Sequence, residues 1–262
     1  MSTGPGGRAL QRNLYATTAV VFVVFTGFAF VIPFLPLFVR QLGVGPDQRV
    51  AAWSGLLIGI SPLLAGLMAP VWGRLADRLG LKAMAVRALL AYVALLLLTA
   101  AAGNVWQLLA LRVGVGLFGG IGPLGLAMAT AGCPREHTGR AVGLIQSAQI
   151  LSAAVGPLAG GVLADTIGIR QTFVVTAAAC ALALALLLGF YREAPADAPT
   201  GARPARQGFG EVLSLAHVPA LLLTLFLVNF VGRSFTPILA LQLQQLGVPL
   251  SLIHISEPTR PY

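Results

Sequence analysis

The sequence has little charge. Asp, Glu, Lys and Arg make up 10% of its 262 residues, against about 25% in a soluble globular domain. Acids number eight and bases seventeen, and sixteen of those bases are arginine, with Lys82 the one lysine. Hydrophobic residues reach 57% and mean hydropathy is +0.86. That excludes a single soluble domain. It also excludes intrinsic disorder, which needs low hydrophobicity and high charge. Cysteine is scarce too: Cys133 and Cys180 have no second cysteine or histidine at ligand spacing, so neither a zinc site nor a disulfide framework is supported. No cleavable leader is evident. Arg8 and Arg12 precede an apolar run about twice the usual length for one, without a small-residue cleavage pattern. The net charge of +9 invites a nucleic-acid reading, but the basic residues are spread over short loops and build no single patch.

Long uncharged runs are what the sequence has. They cover 13–39, 50–73, 88–111, 113–134, 141–164, 171–191 and 212–232, each longer than the roughly 18 residues that make a transmembrane helix the default reading. A hydrocarbon core forces each backbone polar group to pair within its own helix. The fold class expected is therefore an all-α polytopic membrane protein. Turn residues and charges place seven spans near 14–39, 51–72, 83–102, 105–129, 141–163, 171–191 and 217–241. Residues 192–211, rich in Pro, Ala and Gly, read as a flexible linker. One side of the membrane collects Arg8, Arg12, Arg74, Arg78, Lys82, Arg87, Arg135, Arg140, Arg192, Arg203 and Arg206; the other collects Arg40, Arg49, Arg170 and Arg260. The positive-inside rule puts the N-terminus and the linker in the cytoplasm.

An internal repeat sets the domain organisation. PFLPLFVRQLGV at 33–44 matches PILALQLQQLGV at 237–248, with Pro33, Leu35, Leu37, Gln41, Leu42, Gly43 and Val44 meeting identical residues at an offset of 204. Both segments close a span, the first and the seventh, so the seventh helix opens a second copy of a six-helix unit. The expected divisions are a cytoplasmic tail at 1–13, a six-helix bundle at 14–191, a cytoplasmic linker at 192–216, the first helix of a truncated second bundle at 217–248, and a tail at 249–262. That tail leaves the style of the rest and reads as foreign or frameshifted, or else as an ordinary outer loop.

Three motifs carry chemistry. Between spans two and three stands GRLADRLGLK, residues 73–82. Gly73 and Gly80 allow a tight reversal, and Asp77 lies within reach of Arg74, Arg78 and Lys82. Such a charged loop acts either as a latch formed in one conformation only or as a solvated turn. In span four, Arg112 lies about 10 Å into its helix. An intramembrane arginine faces an interior or a cavity by default, although this depth also allows snorkelling. In span five, Ser152, Gly156 and Gly160 recur every four residues and share a face that lets another helix approach, while Pro157 removes an internal hydrogen bond. The candidate at 114–119, a G-x-G-x-x-G, sits inside an uncharged run rather than after a strand, which is wrong for dinucleotide binding; Gly116 and Gly120 read better as a close helix contact. A retinal protein is excluded because no lysine lies in span seven.

These motifs resemble those of the major facilitator superfamily. Gly73, Leu75, Ala76, Asp77, Arg78, Gly80 and Lys82 match its loop 2–3 signature, with Leu81 in place of a usual basic residue. Leu109 and Arg112 with Gly116 resemble its fourth-helix motif. Ser152, Gly156, Pro157, Gly160 and Gly161 resemble its fifth-helix antiporter motif, with Ser152 where Gly is usual. PFLPLFVRQLGV and Trp53-Ser54-Gly55 look like the twelve-spanner drug:proton antiporters. The resemblance implies a major-facilitator six-helix bundle plus the first helix of a second, about seven transmembrane helices of an expected twelve. It implies two bundles that rock about a midplane site, a loop 2–3 latch of Gly73, Asp77, Arg78, Gly80 and Lys82, a cavity-side Arg112, and a fifth helix at a moving seam.

Weaker substrate-cavity candidates are Phe28 among the span-one phenylalanines, Gln146 and Gln149 in span five, and Asn229 and Arg233 in span seven. All eight acids lie in loops or at span ends, so the spans supply no mid-membrane carboxylate for a proton or a cationic drug. The reading is a multidrug exporter of the bacterial inner membrane, N-terminus in the cytoplasm, working by alternating access with proton antiport. It is not an enzyme and takes no cofactor or metal. Its partners are a small hydrophobic molecule, protons and the lipid bilayer, with no nucleic acid and no obligate protein partner. The alternative is a truncated, non-transporting membrane fragment or assembly partner.

Overall fold

A computed structural model describes residues 5–193 and then 217–221, 223, 224, 227 and 228. The chain divides into two compact units, Met1–Thr200 and Gly201–Tyr262. In the second, the described residues from 218 onward are helical, and the Thr224 hydroxyl donates to the Ala220 carbonyl at 2.8 Å. Asn229, Arg233, residues 194–216, the second copy of the repeat and the tail at 249–262 lie outside the described residues.

The first unit is all helix among its described residues. Helix α1 (Pro5–Val31) runs through a single 3-10 turn (Ile32–Phe34) into α2 (Leu35–Gln41). Then come α3 (Asp47–Leu79), α4 (Leu81–Ala100), α5 (Val105–Phe118), α6 (Ile121–Thr130), α7 (Arg135–Ile167) and α8 (Ile169–Phe190). Among the described residues, six stretches are long and apolar enough to cross a membrane: Gly7–Gln41, Arg49–Leu79, Leu81–Ala100, Val105–Thr130, Arg135–Ile167 and Ile169–Phe190.

Several of these overrun the expected ends. Charged residues end an apolar window, but they do not end a helix, since Arg and Glu are good helix formers. Thus α3 carries on to Leu79 and α7 begins at Arg135. The expected loop at 73–82 is therefore mostly helix, and the reversal is a single residue, Gly80. The expected continuous fourth span is in fact two helices, α5 and α6, parted at Gly119–Gly120.

Packing follows a twofold pattern in the order of the spans. The first span packs on the fifth (α1 on α7) and the sixth (α1 on α8); the fourth packs on the second (α5 on α3) and the third (α5 on α4). The third and sixth spans, α4 and α8, lie against each other. Exchanging spans one to three with spans four to six leaves this set of neighbours unchanged, which is the mark of two inverted three-helix halves. The core between them holds Leu35, Phe38, Leu89, Leu96, Phe173, Cys180 and Leu187, all buried. Phe38 and Phe173 stack with ring centroids 5.1 Å apart. Large apolar side chains such as Leu67, Ile150 and Leu182 point outward, the expected arrangement where the surrounding solvent is lipid.

Candidate functional site

The break in the fourth span is the first feature of the site. Ending α5 at Phe118 orphans its last carbonyls, and starting α6 at Ile121 orphans its first amides. Gly120, at φ +106° and ψ +19°, makes the left-handed step between them. It has nothing within 4 Å of where a Cβ would stand, so it serves the turn and not the helix contact expected of it. Three side chains take up the freed groups. The Trp72 indole N–H donates to the Leu117 carbonyl at 2.7 Å. Arg87 Nη2 reaches the Gly119 carbonyl at 3.4 Å. The Gly120 amide donates to the Tyr92 hydroxyl at 3.2 Å. The Arg87 guanidinium also lies 3.5 Å from the centre of the Trp72 ring, a cation–π contact of about 1–2 kcal/mol when partly desolvated. Sequence reasoning passed over Trp72, Arg87 and Tyr92. The available signal was the pair Gly119–Gly120 followed by Pro123.

Next to this break opens a pocket of about 400 Å³, lined by Phe25 of α1, by Gly122, Pro123 and Leu126 of α6, and by Ile145, Gln146 and Gln149 of α7. The first, fourth and fifth spans thus meet around two carboxamides and an apolar wall. Gln146 and Gln149, three residues apart, both face it. Phe28 does not line it. Its ring packs edge-on against Tyr92, centroids 4.8 Å apart, inside the core; Phe25, one turn earlier, holds the cavity position instead. A second groove between α1 and α7 is lined by Tyr15, Thr18, Phe22 and Leu144 among others.

Arg112 is buried, with 7% of its surface exposed. Its Nε and Nη2 have no hydrogen-bond partner among the described residues. It is not snorkelling. Here α5 and α3 approach closely: Ser61 Oγ donates to the Arg112 carbonyl at 2.7 Å, and a Cβ on Gly116 would lie 2.7 Å from the Ser61 carbonyl oxygen. Gly116 is therefore the close contact expected of it.

The small-residue face of the fifth span is placed differently from expectation. Ser152 is buried, donates within 3.0 Å of the Phe22 carbonyl and accepts from Thr26 at 3.0 Å. A Cβ on Gly156 would strike Ala29, and one on Gly160 would meet the Phe30 backbone. Gly161 is looser, with Phe34 3.8 Å from its Cβ position. The face seats α7 on α1 within the bundle, so these residues form an internal seam and not a surface offered to a second bundle. Pro157 sits inside α7, which stays helical through it.

Where α3 ends, Gly80 turns it into α4 with φ +90° and ψ +155°. Asp77 is exposed and makes no ion pair or hydrogen bond with any described residue. The expected contacts to Arg74, Arg78 and Lys82 are absent among the described residues. Lys82 instead donates to the Tyr191 carbonyl at 2.8 Å. The chain leaving α8 is held here by two more contacts. Glu193 accepts from the Leu81 amide at 2.7 Å, capping α4. Asn13 and the Arg192 backbone exchange hydrogen bonds of 2.7 and 3.1 Å. Tyr191 is buried in this corner, and burial, reinforced by the Glu193 charge, pushes its phenol up to about 12. Glu193 and Asn13 were not foreseen, because they act through backbone groups far apart in sequence.

A multi-pass bundle of two inverted three-helix halves, with a broken fourth span beside a pocket between the first, fourth and fifth spans, defines the class as a membrane transporter scaffold. The family model for the Major Facilitator Superfamily matches residues 17–256, and the chain belongs to that family. The chain is 35% identical over 252 residues to "Multidrug resistance protein MdtG" of Yersinia enterocolitica, covering 94% of this chain and 60% of that protein. It is 36% identical over 239 residues to the protein of that name from Serratia proteamaculans, and 37% over 241 to that from Enterobacter lignolyticus, each covering 90% of this chain. The chain spans about 60% of the length of the curated relatives it matches.

Proposed function

We propose that residues 14–191 are the first bundle of a two-bundle exporter of small hydrophobic molecules in the bacterial inner membrane, with the N-terminus in the cytoplasm. The observation that carries this reading is the pocket where the first, fourth and fifth spans meet. Its volume suits a drug-sized molecule, its wall is apolar, and Gln146 and Gln149 offer both donors and acceptors without a fixed charge. The relatives' names, which speak of multidrug resistance, agree with it. Transport is by alternating access of the two bundles, coupled to proton antiport. The buried Arg112, with no acid beside it, serves in this reading as the electrostatic counterpart of a proton carrier supplied elsewhere in the protein. The Gly73, Asp77, Arg78, Gly80 and Lys82 segment acts as a latch against the second bundle.

The test is efflux of a fluorescent hydrophobic dye from everted vesicles under an imposed pH gradient. The expected result is gradient-dependent dye movement that Gln149→Ala slows. Absence of any movement with the complete transporter would overturn the reading.

A further inference from the structure

Gly122 stands where its backbone does not call for glycine. It is the second residue of α6, and it is not among the glycines with positive φ. Inside a helix glycine is disfavoured against alanine, because it has more backbone freedom to lose on folding. Nor does another backbone press on it. A Cβ on Gly116 or Gly160 would meet the backbone of a neighbouring helix, at Ser61 and at Phe30. A Cβ on Gly122 would meet side chains only: the tip of the Phe25 ring, Cζ at 3.3 Å, and Gln149 Nε2 at 4.0 Å. Phe25 and Gln149 both belong to the wall of the pocket that Gly122 itself lines. What the missing methyl leaves is therefore space at that wall.

The helix cannot back away to make room for a larger residue. Three residues on, a Cβ on Gly125 would lie 2.5 Å from Val21 Cγ2, and Gly125 and Val21 are both buried. So α6 is already seated hard against α1, one turn before Phe25. Just ahead of Gly122, the Gly120 amide is tied to the Tyr92 hydroxyl. Between these two fixed points, a side chain at 122 is accommodated by the Phe25 ring, which has the open pocket beside it. We propose that Gly122 is a specificity-determining residue of the pocket: with Phe25 it sets the breadth of the molecule that enters. The lining residues include no charged group, and a bare charge against an apolar wall is costly. The Phe25 ring favours an aromatic neighbour, and the two carboxamides bond to a donor or an acceptor. The substrate class is thus a broad, uncharged, ring-containing molecule with at least one hydrogen-bonding group. This rests on the exporter reading and narrows it.

The experiment uses the complete transporter in everted vesicles and two uncharged fluorescent dyes, the broad fused-ring Nile red and the narrower N-phenyl-1-naphthylamine. Gly122→Ala is expected to raise the KM for Nile red about tenfold, the low end of what one carbon atom decides in an apolar pocket. The maximal rate should hold, and the narrower dye should stay within about twofold of the parent. Adding Phe25→Ala to Gly122→Ala removes the ring that the methyl displaces and should restore Nile red. Thermal unfolding of Gly122→Ala should match or exceed the parent, since alanine suits a helix. Gly125→Ala, by contrast, should lower stability and impair both dyes alike. An equal change for both dyes in Gly122→Ala, or a double variant no better than Gly122→Ala, overturns the assignment. A parent transporter that moves neither dye overturns the exporter reading instead. The breadth limit is then read from binding, as the concentration of each dye that protects Gln146→Cys from a maleimide in the full-length protein with Cys133→Ser and Cys180→Ala, and the same contrast between the dyes is expected.

Discussion

The turns at Gly80, between α3 and α4, and at Gly168, between α7 and α8, share one backbone, φ +90° with ψ +155° and +160°, and differ in what surrounds it. At Gly80 the chain leaving α8 comes back over the turn. Glu193 caps the Leu81 amide, and its carboxylate lies 2.5 Å from where a Cβ on Gly80 would stand. At Gly168 the nearest group to that position is the Gln171 carboxamide of the same helix, at 3.1 Å. The reason is the way each preceding half ends. After α4 the chain reverses at once through Gly103–Asn104. Asn104 accepts from the Gln107 amide, and the Gln107 side chain accepts from Gly103. After α8, Tyr191–Glu193 clamp the other turn. The inverted halves share a scaffold, and the difference in their exits makes one turn anchored and the other open. The anchored turn also has more charge: Arg74 and Arg78 have Val162 and Thr166 as counterparts at an offset of 88, the offset that carries Gly80 onto Gly168.

The largest effect should come from the glycines themselves. Both adopt a conformation nearly reserved for glycine, where another residue costs about 1–3 kcal/mol. Gly80→Ala must also push Glu193 off its cap, so it is expected near the top of that range, about 3 kcal/mol, and Gly168→Ala near the bottom, about 1 kcal/mol. Thermal unfolding in detergent measures both. Combining each with Glu193→Ala sharpens the contrast: Gly80→Ala should be non-additive with it and Gly168→Ala additive. Equal losses from both glycines would show that the clamp contributes nothing.

Next is transport. Asp77→Asn should slow dye efflux by about tenfold, equivalent to about 1.4 kcal/mol in the barrier, with membrane insertion unchanged. Initial rates normalised to membrane-inserted protein measure this. Wild-type rates in Asp77→Asn would leave the segment a topology signal only.

The sequence made the helical class legible because hydrocarbon permits few alternatives, and the runs from 13 to 191 could hardly be read otherwise. It made Gly80 and Gly116 legible because a tight reversal and a close helix approach both call for glycine, and it made the burial of Arg112 legible because the residue stands inside an apolar span. Helix ends were not legible, since hydropathy measures the membrane's thickness and α3 and α7 run beyond it. The break at Gly119–Gly120 was missed because two glycines in an apolar span also suit close packing. Only the tertiary partners Trp72, Arg87 and Tyr92, from other spans, decide between the readings. The face of Ser152, Gly156 and Gly160 was correctly grouped, but its partner was not, because spacing names a face and leaves open what covers it. Phe28 and Phe25 are one turn apart, and only the packing of Tyr92 tells core from cavity.

A smaller effect tests the clamp alone. Glu193→Ala removes one cap from α4, a loss of about 1 kcal/mol for a capping side chain. Glu193→Gln should recover part of it, since the carboxamide oxygen can still accept from Leu81. Hydrogen exchange at the Leu81 amide reads the bond directly. Protection unchanged in Glu193→Ala would mean that solvent or another group serves this amide equally well.

The smallest expected difference separates the two basic residues. Lys82 and Arg170 make the same bond, a charged donor on the carbonyl end of the neighbouring helix, at 2.8 Å in each case. Their surroundings differ. The Lys82 bond is partly buried and closes a corner that also holds buried Tyr191, so losing the ammonium leaves a carbonyl with reduced access to water. The Arg170 bond is exposed, and its carbonyl can turn to solvent when the guanidinium is removed. An exposed charged contact contributes about 0–1 kcal/mol, because water competes for both partners. Arg170 keeps a second contact, its guanidinium lying 5.5 Å from the Phe38 ring, which a methionine side chain would largely replace by packing. Lys82→Met is therefore expected to lower stability by about 1 kcal/mol, the net worth of one charge-assisted bond with limited solvent rescue, and Arg170→Met by about half that or less. Paired thermal unfolding at low and high salt distinguishes them: salt should shrink the Arg170 effect and leave the Lys82 effect nearly intact. Equal losses, or the reverse order, would mean that the clamp from α8 adds no rigidity to its turn.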